Sequence, residues 1–161
     1  METQAIEIIE TEVILDKSTS LNHSRLTSRI TWLLSAAYED KDEDEYDVLP
    51  ELDIELSTGR AKSDVALIPK QVYNWRENII AFPHAPITAI EILSPTQSLD
   101  ALAGKIDKIY LAGGVQSAWL AVPFLKTVHV FLPDGTINTF ATGALHDPAS
   151  GVELALEAIF R

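Results

Sequence analysis

The residues Ile87 to Ser94 read ITAIEILS. An almost unbroken apolar run of this length, ended by Ser94-Pro95-Thr96, is the pattern of a strand buried on both faces. A chain that contains it must cover two faces of one sheet. The means to do so follow directly. Ser98 to Leu111 carries Leu99, Leu102, Ile106, Ile109 and Tyr110 on one helical face, and Gly113-Gly114 stops it. SAWLAV at 117–122 is a second buried strand. Strand, helix, strand is a βαβ-like centre, with a right-handed crossover if the two strands are parallel.

The flanks supply the rest of an α/β fold. Leu21 to Tyr38 has Leu26, Ile30, Leu33, Leu34 and Ala37 at helical spacing, with Asn22 as the expected N-cap. Leu52, Ile54 and Leu56 alternate with Asp53 and Glu55, a half-exposed strand. It turns through 57–60 into the strand KSDVALIP at 62–69. A looser excursion occupies 70–86. Thr127–Leu132 and Thr136–Ala141 flank Pro-Asp-Gly at 133–135, a hairpin signal. Ser150 to Phe160 reads as a short closing helix, and 4–16 as an early strand. The expectation is one domain over 1–161, a mixed central sheet flanked by helices.

Glu39 to Asp47 is an acidic run, expected to be a solvated loop. Asp40, Asp42, Asp44 and Glu51 touch a calcium-loop spacing, but Glu45 stands where the sharp-turn glycine belongs. A half-exposed strand follows where such a motif requires a helix.

Glu91 is the anomaly. Ala89, Glu91 and Leu93 share one strand face and Ile90 and Ile92 the other, so both faces are otherwise apolar. A carboxylate buried there must find a metal, a cation or a set of hydrogen bonds, or take up a proton. Asp64, in the preceding strand, is uninformative alone. Paired with Glu91 it makes two carboxylates on neighbouring strands, which can share a hard divalent cation. A cation near the nucleophile comes from the following helix. At ~100° per residue, Lys105 lies roughly 85° from the centre of the apolar face and Lys108 roughly 145°. Lys105 can therefore lie along the core with its head at a site, while Lys108 faces solvent. His84 and the His146-Asp147 pair lack partners at metal-ligand spacing, and His129 alternates with Val128 and Val130 toward the solvent face.

These residues carry a resemblance. The order is His23 in the first helix, Ser63-Asp64-Val65, then IEILSPT at 90–96, then Asp100, Lys105, Tyr110, Gly114-Val115, Trp119 and Pro123. It is similar to the bacterial Uma-two family of restriction endonucleases, in the PD-(D/E)xK nuclease superfamily, over about 20–160. The resemblance implies a restriction-endonuclease-like fold and divalent-metal-dependent cleavage of DNA, with Mg²⁺ or Mn²⁺ as cofactor. It implies Asp64 and Glu91 as metal-binding acids and Lys105 as a catalytic lysine moved into the following helix; His23 matches the first-helix position, either as a surface helix residue or as one lining the site. Three departures stand out. Ser63 replaces a proline, Leu93 occupies the usual lysine place, and the interval from Lys105 to Tyr110 is one residue longer than the pattern implies. Lys105 and Lys108 therefore compete for the role.

Bulk properties bound the alternatives. Asp plus Glu number 24 against 12 Lys plus Arg, a formal charge of −12. Such a chain is repelled by a polyanion unless it has a local basic groove or bound divalent metal. The charge therefore also fits a catalytically inactive relative that serves in protein binding or assembly. No cysteine is present, which excludes disulfides and thiolate chemistry and suits a cytoplasmic location. The acidic start does not read as a signal peptide, no run is long enough for a membrane helix, and exposed strand edges allow a homodimer.

Overall fold

A computed structural model describes residues 20–39 and 45–161. The strand expected over 4–16 and the centre of the acidic run, with Asp40, Asp42 and Asp44, lie outside the described residues. Helix α1 (Leu21–Tyr38) is followed by β1 (Tyr46–Leu56), β2 (Gly59–Pro69) and β3 (Thr88–Ile92). Helix α2 (Leu99–Lys105) runs on as a π-helical turn (Ile106–Leu111) into β4 (Ser117–Val122). Then come β5 (Thr127–Phe131), β6 (Ile137–Phe140), β7 (Ala144–His146), β8 (Glu153–Ala155) and α3 (Leu156–Ile159).

The six strands β1 to β6 pair in chain order. All neighbours are antiparallel except β3 and β4, which are parallel, with Glu91 opposite Leu120. The βαβ centre expected from the apolar runs is therefore the middle of a mixed sheet. Every residue of β3 and β4 is buried. On one face, Leu26, Ile30 and Leu34 of α1 pack on Val65, Leu67, Ile90, Ile92 and Trp119. On the other, Leu102, Ile106 and Tyr110 pack on Ile54, Ala89, Ala118 and Leu120. Alternation along β3 sends Ile90 and Ile92 to α1, and Ala89 with Glu91 to α2.

Several expectations are corrected. The N-cap of α1 is Ser20, whose hydroxyl accepts from the His23 N–H at 3.1 Å; Asn22 lies inside the helix. The first strand starts at Tyr46, because an edge strand tolerates Pro50. The closing segment is not one helix over 150–160. It forms β8, which pairs with β7, and then the single turn α3. Leu154 and Leu156 are buried while Glu153, Ala155 and Glu157 are exposed, an alternation that suits a strand better than a helix. His129 is half-buried, its ring between the Thr127 and Thr139 hydroxyls at 3.0 and 2.9 Å.

Candidate functional site

The sheet ladder breaks around Asp64. Pairing of β1 with β2 passes from Pro50↔Val65 to Leu52↔Ser63 and omits Glu51↔Asp64. Glu51 has φ 53, a left-handed conformation rare outside glycine. Pairing of β2 with β3 runs only from Leu67↔Thr88 to Val65↔Ile90, so Asp64 and Glu91 stand next in register where the ladder has ended. The Asp64 carboxylate fills this gap. Its Oδ2 accepts from the Ile92 N–H at 2.7 Å and lies 3.1 Å from His23 Nε2.

His23 reaches Asp64 from the first turn of α1, where the Ser20 cap holds its backbone. Its ring is buried, and among the described residues Nδ1 has no hydrogen-bond partner. The hydrogen bond to Asp64 holds the His23 pKa above its ordinary value, against the opposing effect of burial, and Glu51 and Glu91 add to the rise.

Glu91 is 2 % exposed, on the α2 face. Its Oε1 lies 2.6 Å from Lys105 Nζ and accepts a short hydrogen bond from the Tyr110 hydroxyl. Lys105 Nζ also donates to the Lys62 carbonyl at 2.9 Å, and Tyr110 reaches the same carbonyl at 3.3 Å. Burial pushes the Glu91 carboxyl up to about 7, and Lys105 opposes the rise while the Asp64 charge adds to it. Burial, then the Glu91 charge, raises the Tyr110 hydroxyl well above its ordinary value.

Asp64, Glu91, Lys105 and His23, named from sequence, thus fall into two contact groups on adjacent strands, His23 with Asp64 and Lys105 with Glu91. Lys108 is not part of them: it is exposed, three residues beyond Lys105. Sequence reasoning missed three things. Tyr110 was legible as a member of an apolar face and of the motif order, but not as a partner of Glu91. Glu51 acts on His23 through its charge, and its pairing gap shows only in three dimensions. Asp147, fully buried, accepts at Oδ2 from Thr88, Ser117, Trp119 and Ser150. No local pattern distinguishes it from a turn acid.

Two open grooves flank the start of α1. One, of about 540 Å³, is lined by His23, Thr27, Thr31, Trp32 and Glu51. The other, of about 440 Å³, is lined by Asn22, Leu93, Ser94, Pro123 and Phe124. Among the described residues no three His, Asp or Glu side chains are grouped to hold a metal ion. The donor chemistry nevertheless fits a hard divalent ion. Magnesium is commonly bound by one or two carboxylates, with water completing its shell. Among the described residues, the hydrogen bonds and ion pairs of Asp64 and Glu91 fall on Oδ2 and Oε1, so Oδ1 and Oε2 are the oxygens left to serve.

A family model described as "Uma2: Putative restriction endonuclease" matches residues 1–158. A crystal structure from Anabaena variabilis ATCC 29413, described as a putative nuclease belonging to DUF820, superposes with a TM-score of 0.73. It is 24% identical, and the match covers 88% of this chain and 81% of that one. No curated protein matches the chain.

Proposed function

The chain belongs to the Uma2 family of restriction-type endonucleases, and from that premise we propose that it is a divalent-metal-dependent phosphodiesterase acting on DNA. The observation that carries the reading is the buried Glu91 carboxylate with an ammonium on one oxygen, next in register to Asp64 at a gap in the sheet. A purely structural ion pair explains Lys105 on Glu91. It does not explain why the neighbouring position carries a second carboxylate tied to a buried histidine.

In this reading Asp64 Oδ1 and Glu91 Oε2 would hold Mg²⁺ or Mn²⁺. When bound, such an ion supplies charge stabilisation at a phosphoryl group and a water of lowered pKa. His23 holds the Asp64 carboxylate from one side and the Ile92 N–H holds it from another, so its free oxygen keeps one direction. Lys105 has a quarter-exposed side chain on a flexible stem. It can move from Glu91 to orient the attacking water and neutralise charge on the scissile phosphate.

Nicking of supercoiled plasmid in Mg²⁺ or Mn²⁺ tests this, beside Asp64→Ala prepared identically. The wild-type chain should cleave, and the variant should lose about 10²-fold or more, as loss of an electrostatic stabiliser does. Equal rates would remove the reading. The formal charge of −12 favours a second reading, a nuclease fold kept for binding a protein partner. That reading gains if divalent ions neither bind nor raise the melting temperature.

A further inference from the structure

Lys105 and Tyr110 meet at the same two acceptors, Glu91 Oε1 and the Lys62 carbonyl, and the ammonium lies 5.4 Å from the tyrosine ring centre. They are five residues apart. In an α-helix, at ~100° per residue, that separation turns two side chains roughly 140° away from each other. Here the α-helix ends at Lys105, and Ile106–Leu111 continues with π-helical geometry. The Ala112 N–H donates to the Asp107 carbonyl, five residues back. This wider turn brings residues five apart nearly into line. It is also anchored from outside: the Thr58 hydroxyl donates to the Ile109 carbonyl at 2.6 Å. A side chain at Gly113 would strike that carbonyl and Thr58 Oγ1.

We infer that the π-helical turn is a register device that brings Tyr110 onto the same carboxylate oxygen as Lys105, and that Tyr110 is a positioning residue for Glu91. The inference rests on the reading of Glu91 as a site carboxylate. The two partners differ in what they can do. Lys105 is long, flexible and partly exposed, so it can leave. Tyr110 is fully buried, and its ring is packed among Leu102, Ile106 and Ala89, so it cannot. A neutral hydroxyl holds Oε1 without cancelling the charge that an incoming cation needs. With Tyr110 in place, Oε2 keeps its direction after the lysine departs.

Two variants of the full chain test this, read by crystallography and by calorimetric titration with Mn²⁺ alone. Deleting the exposed Asp107 shortens the interval to four, which an ordinary α-helix places on one face. Lysine and tyrosine should both remain on Glu91, with Mn²⁺ affinity within about two-fold of wild type and no loss of melting temperature. Tyr110→Phe keeps the ring and should weaken Mn²⁺ binding about ten-fold. A purely structural tyrosine would instead lower the melting temperature and leave Mn²⁺ affinity alone, which overturns the positioning role. A deletion variant that unfolds, or that carries either side chain off Glu91, overturns the register device. If the wild-type chain binds no Mn²⁺, the nuclease reading and the positioning role fall together, and the register device is then decided by the deletion structure alone.

Discussion

Glu91 is almost fully buried, and the consequences for its proton can be measured. Its folded pKa is raised to about 7 from an ordinary 4.5 by burial, so between those values the folded chain holds a proton that the unfolded chain has released. The contribution of this group to stability is full below about pH 4.5 and is lost as the pH rises through 7. His23, raised from 6.5 by its bond to Asp64, has the same sign: its contribution is present below 6.5 and is lost above its folded value. Urea midpoints are therefore expected to fall from pH 6 to pH 8, and Glu91→Gln should flatten much of that slope. A wild-type profile that rises over this range would contradict the assignment. The same proton competes with a cation, so Mn²⁺ affinity should climb across that window. The two lysines separate cleanly as well. Lys105→Met should cost at least about 10²-fold in cleavage rate by removing the positioned cation. Lys108→Met, at an exposed position, should leave the rate unchanged. The reverse order in a plasmid-nicking series would exchange their roles.

At the scale of elements, the sheet has a second polar centre, and it is structural. Asp147, in the connection between β7 and β8, collects donors from the first residues of β3 and β4, Thr88 and Ser117, and from the Trp119 indole. Its Oδ1 accepts from the Ala149 N–H at 2.9 Å. The carboxylate ties the small sheet to the beginning of β3, whereas Glu91 lies near the end of that strand. Asp147→Ala leaves several buried donors without an acceptor, each a loss of roughly 1–3 kcal/mol. A total of at least ~3 kcal/mol is expected, a fall of about 10 °C in melting temperature for a chain of this size. Mn²⁺ affinity should not change. A coupled loss would mean that the two ends of β3 are not energetically independent.

For the whole molecule, charge is the governing quantity. Duplex DNA binds most proteins by counterion release, with a slope of log affinity against log salt of about −0.9 per phosphate neutralised. A chain with twice as many acids as bases has few cations to offer. Without divalent ions, binding to a fluorescent duplex should be weak, with a slope no steeper than about −3, and Mn²⁺ should strengthen it. A steep slope in the absence of metal would reveal a basic track that the described surface does not suggest. Among the described residues, no helix is long and apolar enough to cross a membrane.

Periodicity and burial logic in the chain determined the centre of this protein. The apolar runs at 87–94 and 117–122, with an amphipathic helix between them, can bury their surface only as adjacent strands of a covered sheet. One acid inside such a run must be partnered. Helical angles likewise placed Lys105 nearer the core than Lys108, because which side of a helix faces the core is a local property, but the longer interval to Tyr110 left both lysines open for the role. Tertiary structure decided the rest. The gap at Asp64 exists because β1 skips one pair where β3 stops pairing. His23 meets Asp64 because the start of α1 packs over that gap. Tyr110 joins Lys105 because a helix changes its pitch. Each depends on contacts between residues distant in the chain or on a departure from regular geometry, and neither leaves a periodic trace in sequence.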